Sequence, residues 1–317
     1  MNQSFPECFF NNPHRIDALE RILIGVALLI LTLISLVLNA TLGYLVCKRS
    51  IFEDGFRWHV VSLVTAALSY LLTNCAILIP TALFGVFIDD PYNTILTSFD
   101  VFGYLAQTFT TTLIAIDRFI FFYFIGIHFG ASSRRSLLIR SIPALPWIIS
   151  IFLTCHMNFV GCYARTNPVT LTYTYDCSEC GFYQPVMYYL NYSLPVITFL
   201  LYCAIYFHIL VMRRRFRTGE IACERKRAVK LVMQCSLICM IQFASSASFY
   251  IIPAVMSDTK LYVTMLISTL NSMTNPCVMF AFQSRLRRAL FERKYNGEVG
   301  ECRIMTVNTI PPKRSSL

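Results

Sequence analysis

Seven stretches of the chain contain no Asp, Glu, Lys or Arg: residues 22–46, 60–88, 101–116, 141–164, 180–212, 231–257 and 261–284. A helix that crosses a bilayer needs about 20 apolar residues. All but the third stretch reach that length uncharged. The third reaches it when Asp100 and the Asp117–Arg118 pair are placed near its two ends. None of the stretches shows the polar face that a helix on the surface of a soluble protein needs. Lipid offers the backbone no hydrogen-bond partner, so each stretch must satisfy its own amides as a helix. The pattern predicts an all-α integral membrane protein built as a bundle of seven transmembrane helices.

Composition supports this. The chain has 317 residues, of which 56% are hydrophobic and 14% charged, against about 25% charged in a soluble domain. Charge then sets the orientation. With the N-terminus outside, 23 of the 27 Lys and Arg fall on the cytoplasmic side, and Arg15, Arg21, Arg165 and Lys260 remain outside. Basic residues collect on the inner face of membrane proteins, which excludes the reverse topology. The net charge of +10 therefore lines a membrane and does not indicate nucleic-acid binding. Residues 1–21 lack the basic start and apolar core of a cleavable signal peptide, so the first span is expected to direct insertion itself. Asn2, in "NQS", is a candidate exterior glycosylation site.

The chain divides into an exterior segment (1–21), the seven-helix bundle (22–284), a short amphipathic helix on the membrane surface (285–294) and a disordered cytoplasmic tail (295–317). In "QSRLRRALFERK", Leu286, Leu290 and Phe291 recur at helical spacing with Arg287, Arg288 and Arg293 between them. This pattern suits the anionic inner leaflet. The basic segment 213–230 is expected to extend the fifth and sixth helices past the bilayer. Of the 13 cysteines, Cys8, Cys162, Cys177 and Cys180 face the oxidising side. They permit three pairings, and spacing does not choose among them. A zinc site from Cys162, Cys177 and Cys180 is a weaker reading than a disulfide in that compartment.

Candidate chemistry lies along the third span. Thr111, Gln107, Tyr104 and Asp100 lie 7, 11, 14 and 18 residues before Arg118. Eighteen residues make five helical turns, so Asp100 and Arg118 share a face about 27 Å apart. Lipid does not tolerate such a polar stripe, and this face must look into the bundle. A carboxylate at the outer end and a guanidinium at the inner end suit a molecule that senses outside and reports inside. Asp100, Tyr104, Gln107 and Thr111 are the candidate ligand contacts; the plainer reading of Asp100 is a hydrated residue at the helix mouth. Pro80, Pro195, Pro253 and Pro276 predict kinks in the second, fifth, sixth and seventh spans. Asn271, Ser272 and Asn275 stand ready to satisfy the carbonyls freed by Pro276.

Order and spacing resemble the rhodopsin-like G-protein-coupled receptors over nearly the whole chain. Asn39 matches that family's first-span asparagine, Trp147 its fourth-span tryptophan and Pro195 its fifth-span proline. Asp117–Arg118–Phe119 resembles the Asp–Arg–Tyr motif, and "NSMTNPCVM" with Asn275 and Pro276 the seventh-span Asn–Pro motif. The resemblance implies that Asp117, Arg118, Asn275 and Pro276 serve coupling and activation, with Arg118 an inner latch that meets a heterotrimeric G protein when the sixth helix swings out. Departures are informative. Ala67 stands where the family has a sodium-binding carboxylate, Met279 replaces the seventh-span tyrosine, and Asn93 occupies the place of the usual third-span cysteine. That last change forbids the family's common disulfide and implies that Cys162 pairs with Cys177 or Cys180. Retained topology with eroded motifs is similar to the nematode serpentine chemoreceptors, and "LVMQCSLICMIQF" resembles their class X branch.

The resemblance implies a chemosensory receptor of the plasma membrane, with a sensory cilium among the sites it allows. Its partners would be an extracellular ligand, a G protein, membrane lipids and, in some receptors, a second receptor chain; no cofactor is implied. The rival reading is a seven-helix transporter or ligand-gated channel. That normally needs ionisable groups at mid-membrane or an internal repeat, and none is visible. A membrane enzyme is weaker still: the five histidines never stand at i, i+4 spacing, and neither HExxH nor GxSxG occurs.

Overall fold

The computed structural model describes residues 16–48, 54–123, 142–175, 178–215, 221–255 and 261–291. Asn2, Cys8, Cys177, the centre of the basic 213–230 segment and the tail lie outside them. The elements in chain order are α1 (Ala18–Lys48), α2 (Asp54–Thr73), a π-helical turn (Asn74–Leu78), α3 (Ile79–Phe84), α4 (Tyr92–Tyr123), a 3₁₀ turn (Ile142–Ala144), α5 (Leu145–Phe159), β1 (Arg165–Asn167), β2 (Thr172–Thr174), α6 (Tyr183–Arg215), α7 (Ile221–Val255), α8 (Tyr262–Phe282) and α9 (Ser284–Phe291). Each of the seven charge-free stretches supplies most of one helical unit. Among the described residues, four apolar helical stretches have the length and composition to cross a membrane: Ala18–Lys48, Phe56–Phe84, Ile142–Phe159 and Tyr183–His208.

Polarity is inverted relative to a soluble protein. Thr32, Ser35, Asn39, Asn74, Thr110, Gln234, Thr269 and Asn275 are buried, while Leu23, Val37, Phe152, Leu200, Phe207 and Met240 face outward. Exposed apolar surface on this scale needs a non-aqueous surrounding. Among the described residues, one apolar cluster packs the end of the bundle next to α9, around Val46, Phe56, Ile114, Ile205, Met279 and Leu286. A second lies toward the opposite end, around Leu28, Leu78, Leu171 and Met265. Helices α2 and α4 approach closely because position 103 is glycine: a Cβ there would come within 3.0 Å of Ala66 O. Small residues permit such approach where hydrophobic drive between helices is weak.

The proline expectations meet specific solutions. Pro80 stands in the first turn of α3, one residue after the π turn's cap Ile79, whose N–H reaches back to Asn74 O. Pro195 and Pro276 lie inside continuous helices. Pro276 has no N–H, so the carbonyl it frees is that of Ser272, four residues earlier. Its partner is not one of the seventh-span polar residues predicted from sequence. Asn39 Nδ2, on α1, donates to Ser272 O at 3.1 Å and to Ser35 O at 2.9 Å. One buried amide thus takes up the carbonyl freed by Pro276 and ties α1 to α8.

Among the described residues, one element departs from a purely helical fold. The connection between α5 and α6 contains the antiparallel hairpin β1–β2, with Thr166 opposite Tyr173. At its tip, Asn167 Oδ1 accepts hydrogen bonds from the Val169 and Thr170 amides, and Leu171 adopts a positive φ of 53°. Side-chain turns of this kind let Asn reverse a chain within a few residues.

Candidate functional site

The hairpin lies against one end of the bundle, the outer end in the predicted orientation, with β1 against α4 and β2 against α8. Four kinds of contact fix it. A disulfide joins Cys162 to Cys180, one of the two partners for Cys162 that the family resemblance implied. Asp90 takes Arg165 Nε and an Nη, each at 2.9 Å from Oδ2. Tyr173 Oη donates to Asn74 Oδ1 at 2.8 Å. The fourth contact uses the position where the resembling receptors carry a cysteine. Asn93 Oδ1 accepts the Thr166 amide at 2.9 Å, its Nδ2 donates to Thr166 O at 3.4 Å, and Thr97 Oγ1 bonds both partners. An amide clamp on the β1 backbone stands in place of a covalent link.

Under this cap sits Asp100. It is not the hydrated mouth residue of the plainer reading: it is 8% exposed, and Oδ1 has no hydrogen-bond partner among the described residues. Burial, and after it the Asp100 carboxylate, push the hydroxyls of the hairpin residues Tyr173 and Tyr175 above the ordinary tyrosine range. Both therefore lie in the field of that carboxylate. An ionised group buried without a partner is costly, so such a site favours a counter-charge or a proton.

The rest of the predicted stripe also faces inward. Gln107 and Thr111 are buried, and Thr111 Oγ1 bonds Gln107 O at 2.8 Å. Tyr104 is partly buried. Thr111 lines a crevice with Thr108, Thr112, Pro195, Thr198, Cys239 and Gln242, in which no water molecule fits.

At the inner end, Arg118 lies 3.9 Å from Asp117 Oδ2 by its Nε, which has no hydrogen-bond partner among the described residues. Its guanidinium sits over the Phe56 ring at 4.8 Å from the centroid. Asn275 and Pro276 are buried on α8 near this end. The structure does not bring the eight residues into one site: Asp117 and Arg118 lie in the last turns of α4, Asn275 and Pro276 on α8, and Asp100, Tyr104, Gln107 and Thr111 along the preceding turns of α4. Two separate groups of hydrogen bonds join helices within the bundle. Asn74 Nδ2 donates to Thr269 Oγ1 at 3.3 Å, Tyr70 Oη meets the same hydroxyl at 3.3 Å, and Ser35 Oγ reaches Thr269 O at 3.4 Å. Trp147 Nε1 donates to Ser62 Oγ at 2.7 Å, and Ser62 meets Thr110 at 3.0 Å, joining α5, α2 and α4.

Sequence reasoning missed Asn93, Asn74, Tyr173, Gln234 and Gln283 as organising residues. Asn93 was noticed only as the loss of a cysteine, although a donor–acceptor side chain there already suggested a different attachment. The others are paired across long sequence separations and leave no local signal. Among the described residues, no group of three or more His, Cys, Asp or Glu could hold a metal ion.

No curated protein matches the chain. The family profile described as serpentine type 7TM GPCR chemoreceptor Srx matches residues 6–283, most of the chain. With that match, the inverted polarity and the capped helical bundle, the chain belongs to the Srx family of serpentine chemoreceptors and is a chemosensory G-protein-coupled receptor, a multi-pass protein of the plasma membrane.

Proposed function

We propose that this receptor binds a small extracellular ligand at Asp100, beneath the β1–β2 hairpin, with Tyr104, Gln107 and Thr111 continuing the site inward. The observation that carries the reading is the buried Asp100 oxygen without a partner. A ligand that donates protons, an ammonium group first, satisfies it and neutralises it. Desolvated ion pairs of this kind confer specificity as well as affinity. In the same reading α1, α2 with α3, and α4 to α8 make seven spans with the N-terminus outside. Helix α9 lies on the inner leaflet, its Leu286 and Ala289 turned inward and Arg287 and Arg288 outward. Disulfide and clamps hold the hairpin while α6 and α7 rearrange about Pro195 and Pro253. Arg118 then leaves the Phe56 ring and meets the G protein. A ligand drives this only through its difference in affinity for the two states.

The test is ligand-dependent nucleotide exchange on a G protein in membranes that carry the receptor. Alkylammonium and arylalkylammonium compounds are compared with alcohols of the same shape. Ammonium compounds are expected to act and the alcohols to fail, and Asp100→Asn is expected to lower potency at least tenfold. Equal action of both series, or an unchanged response in Asp100→Asn, overturns the site.

A further inference from the structure

Where the resembling receptors carry a seventh-span tyrosine, this chain has Met279, and its surroundings form a second polar seam. Gln234 on α7 is fully buried. Its Nε2 donates to Met279 Sδ at 3.1 Å, and its Oε1 accepts from Gln283 Nε2 at 3.0 Å. Gln283 is the elbow between α8 and α9. Its backbone is extended (φ −99°, ψ 98°), its N–H bonds Met279 O at 2.9 Å, and its carbonyl accepts the Leu286 and Arg287 amides at 3.1 and 3.2 Å. Both amide groups of the seam therefore tie α7 to one fixed corner of the cytoplasmic end. That corner also holds Leu286 in the inner apolar cluster with Met279 and Ile114.

We propose that Gln234, Met279 and Gln283 form a clasp that holds the inner half of α7 against α8 and so sets the resting level of signalling. The inference rests on the reading that α7 moves outward when the receptor activates. Such a movement must separate Gln234 from a thioether and an amide anchored on α8 and its elbow. While the clasp is closed, the buried Gln234 amide has a partner for both its nitrogen and its oxygen; once α7 tilts, the freed amides turn toward a cleft that water can enter. The clasp is weak by design of its parts. A thioether is a poor acceptor, and an amide pair contributes modestly in net terms. It can restrain a resting state without forbidding an active one. These three residues act through the position of α7 and touch neither ligand nor, in the closed state, a partner; they are positioning residues.

The experiment measures basal nucleotide exchange in membranes at matched receptor density. Gln234→Leu and, as a second variant, Gln283→Leu are expected to raise basal exchange by roughly fivefold, because removing a restraint on one state shifts the population toward the other. A residue needed only for folding would lower the signal instead. The swing itself is checked with Gln234→His combined with Gln283→His. The two amide ends are 3.0 Å apart, about the separation of two imidazole nitrogens on one zinc with Zn–N distances of about 2.0–2.1 Å. Zinc is expected to silence the double-histidine receptor and EDTA to restore it, with neither single histidine variant affected. Unchanged basal exchange in both leucine variants, with zinc still silencing the double variant, overturns the clasp and leaves the swing standing. A zinc-loaded double variant that exchanges as freely as the zinc-free protein shows that the helices do not part, and the swing falls together with the clasp.

Discussion

The two ends of the bundle are held by different chemistry. The hairpin end is fastened by a disulfide, a charged pair at 2.9 Å and an amide that grips both sides of one backbone residue. The end next to α9 is held, beside its apolar cluster, by a guanidinium over a ring, a hydrogen bond to a thioether, one amide pair and stacked aromatic rings such as Phe119 on Tyr123 at 4.4 Å. Contacts of the first kind are directional, several to a residue, and leave buried groups orphaned when broken. Those of the second kind are individually worth about 1 kcal/mol or less and survive partial displacement. A receptor needs this asymmetry: a firm frame around the ligand and a seam that yields where the signal leaves.

Opening the Gln234–Gln283 clasp should therefore raise basal signalling, whereas loosening the frame around the hairpin should weaken the ligand response. The largest effect belongs to Arg118→Ala, expected to reduce G-protein exchange more than tenfold at normal surface expression; full signalling in that variant removes Arg118 from the mechanism. Next comes Asn39→Ala, which leaves the Ser272 carbonyl freed by Pro276 without its donor. A buried unsatisfied carbonyl costs about 1–3 kcal/mol. The purified receptor should melt several degrees lower, with a matching fall in surface expression.

Asn93→Ala should act comparably, since it orphans the Thr166 amide in a buried position. It loosens the frame, so ligand response weakens while basal signalling does not rise. Asn93→Ala with raised basal exchange would erase the distinction between the two ends. The Asp90–Arg165 pair is partly exposed, and Arg165→Ala should cost about 1 kcal/mol or less, an effect that shrinks in high salt. The smallest effect is expected from Tyr123→Phe. It loses one hydrogen bond to Ala204 O at 3.1 Å but keeps the ring against His208 at 4.3 Å. Its melting temperature should stay within about a degree or two of the parent.

The frame was far more legible in the sequence than its fastenings. Seven charge-free stretches became helices because in lipid the length and polarity of a segment decide its structure with little help from the rest of the chain. The stripe from Asp100 to Arg118 followed from helical spacing alone. The hairpin did not. Its strands are three residues each, too short for a period to show, and their place is fixed by Asn93 and Asn74, roughly 70 to 100 residues away along the chain. The partner of the carbonyl freed by Pro276 followed the same rule. Sequence proximity suggested Asn271, Ser272 or Asn275, and the donor proved to be Asn39, 233 residues away. Asp100 shows the limit from the other side. Its position on the helix was correct, but whether water reaches it depends on a loop whose fold the sequence did not disclose.

The most direct measurement is nucleotide exchange on a heterotrimeric G protein in membranes bearing the wild-type chain, Asp100→Asn or Arg118→Ala, each challenged with the ammonium series. The account predicts a response in the wild type, a shift of at least tenfold in ligand potency for Asp100→Asn with the maximal response retained, and loss of the maximal response in Arg118→Ala. A wild-type response that Arg118→Ala reproduces in full would contradict it, because the signal would then leave the bundle by a route that does not pass through the inner end of α4.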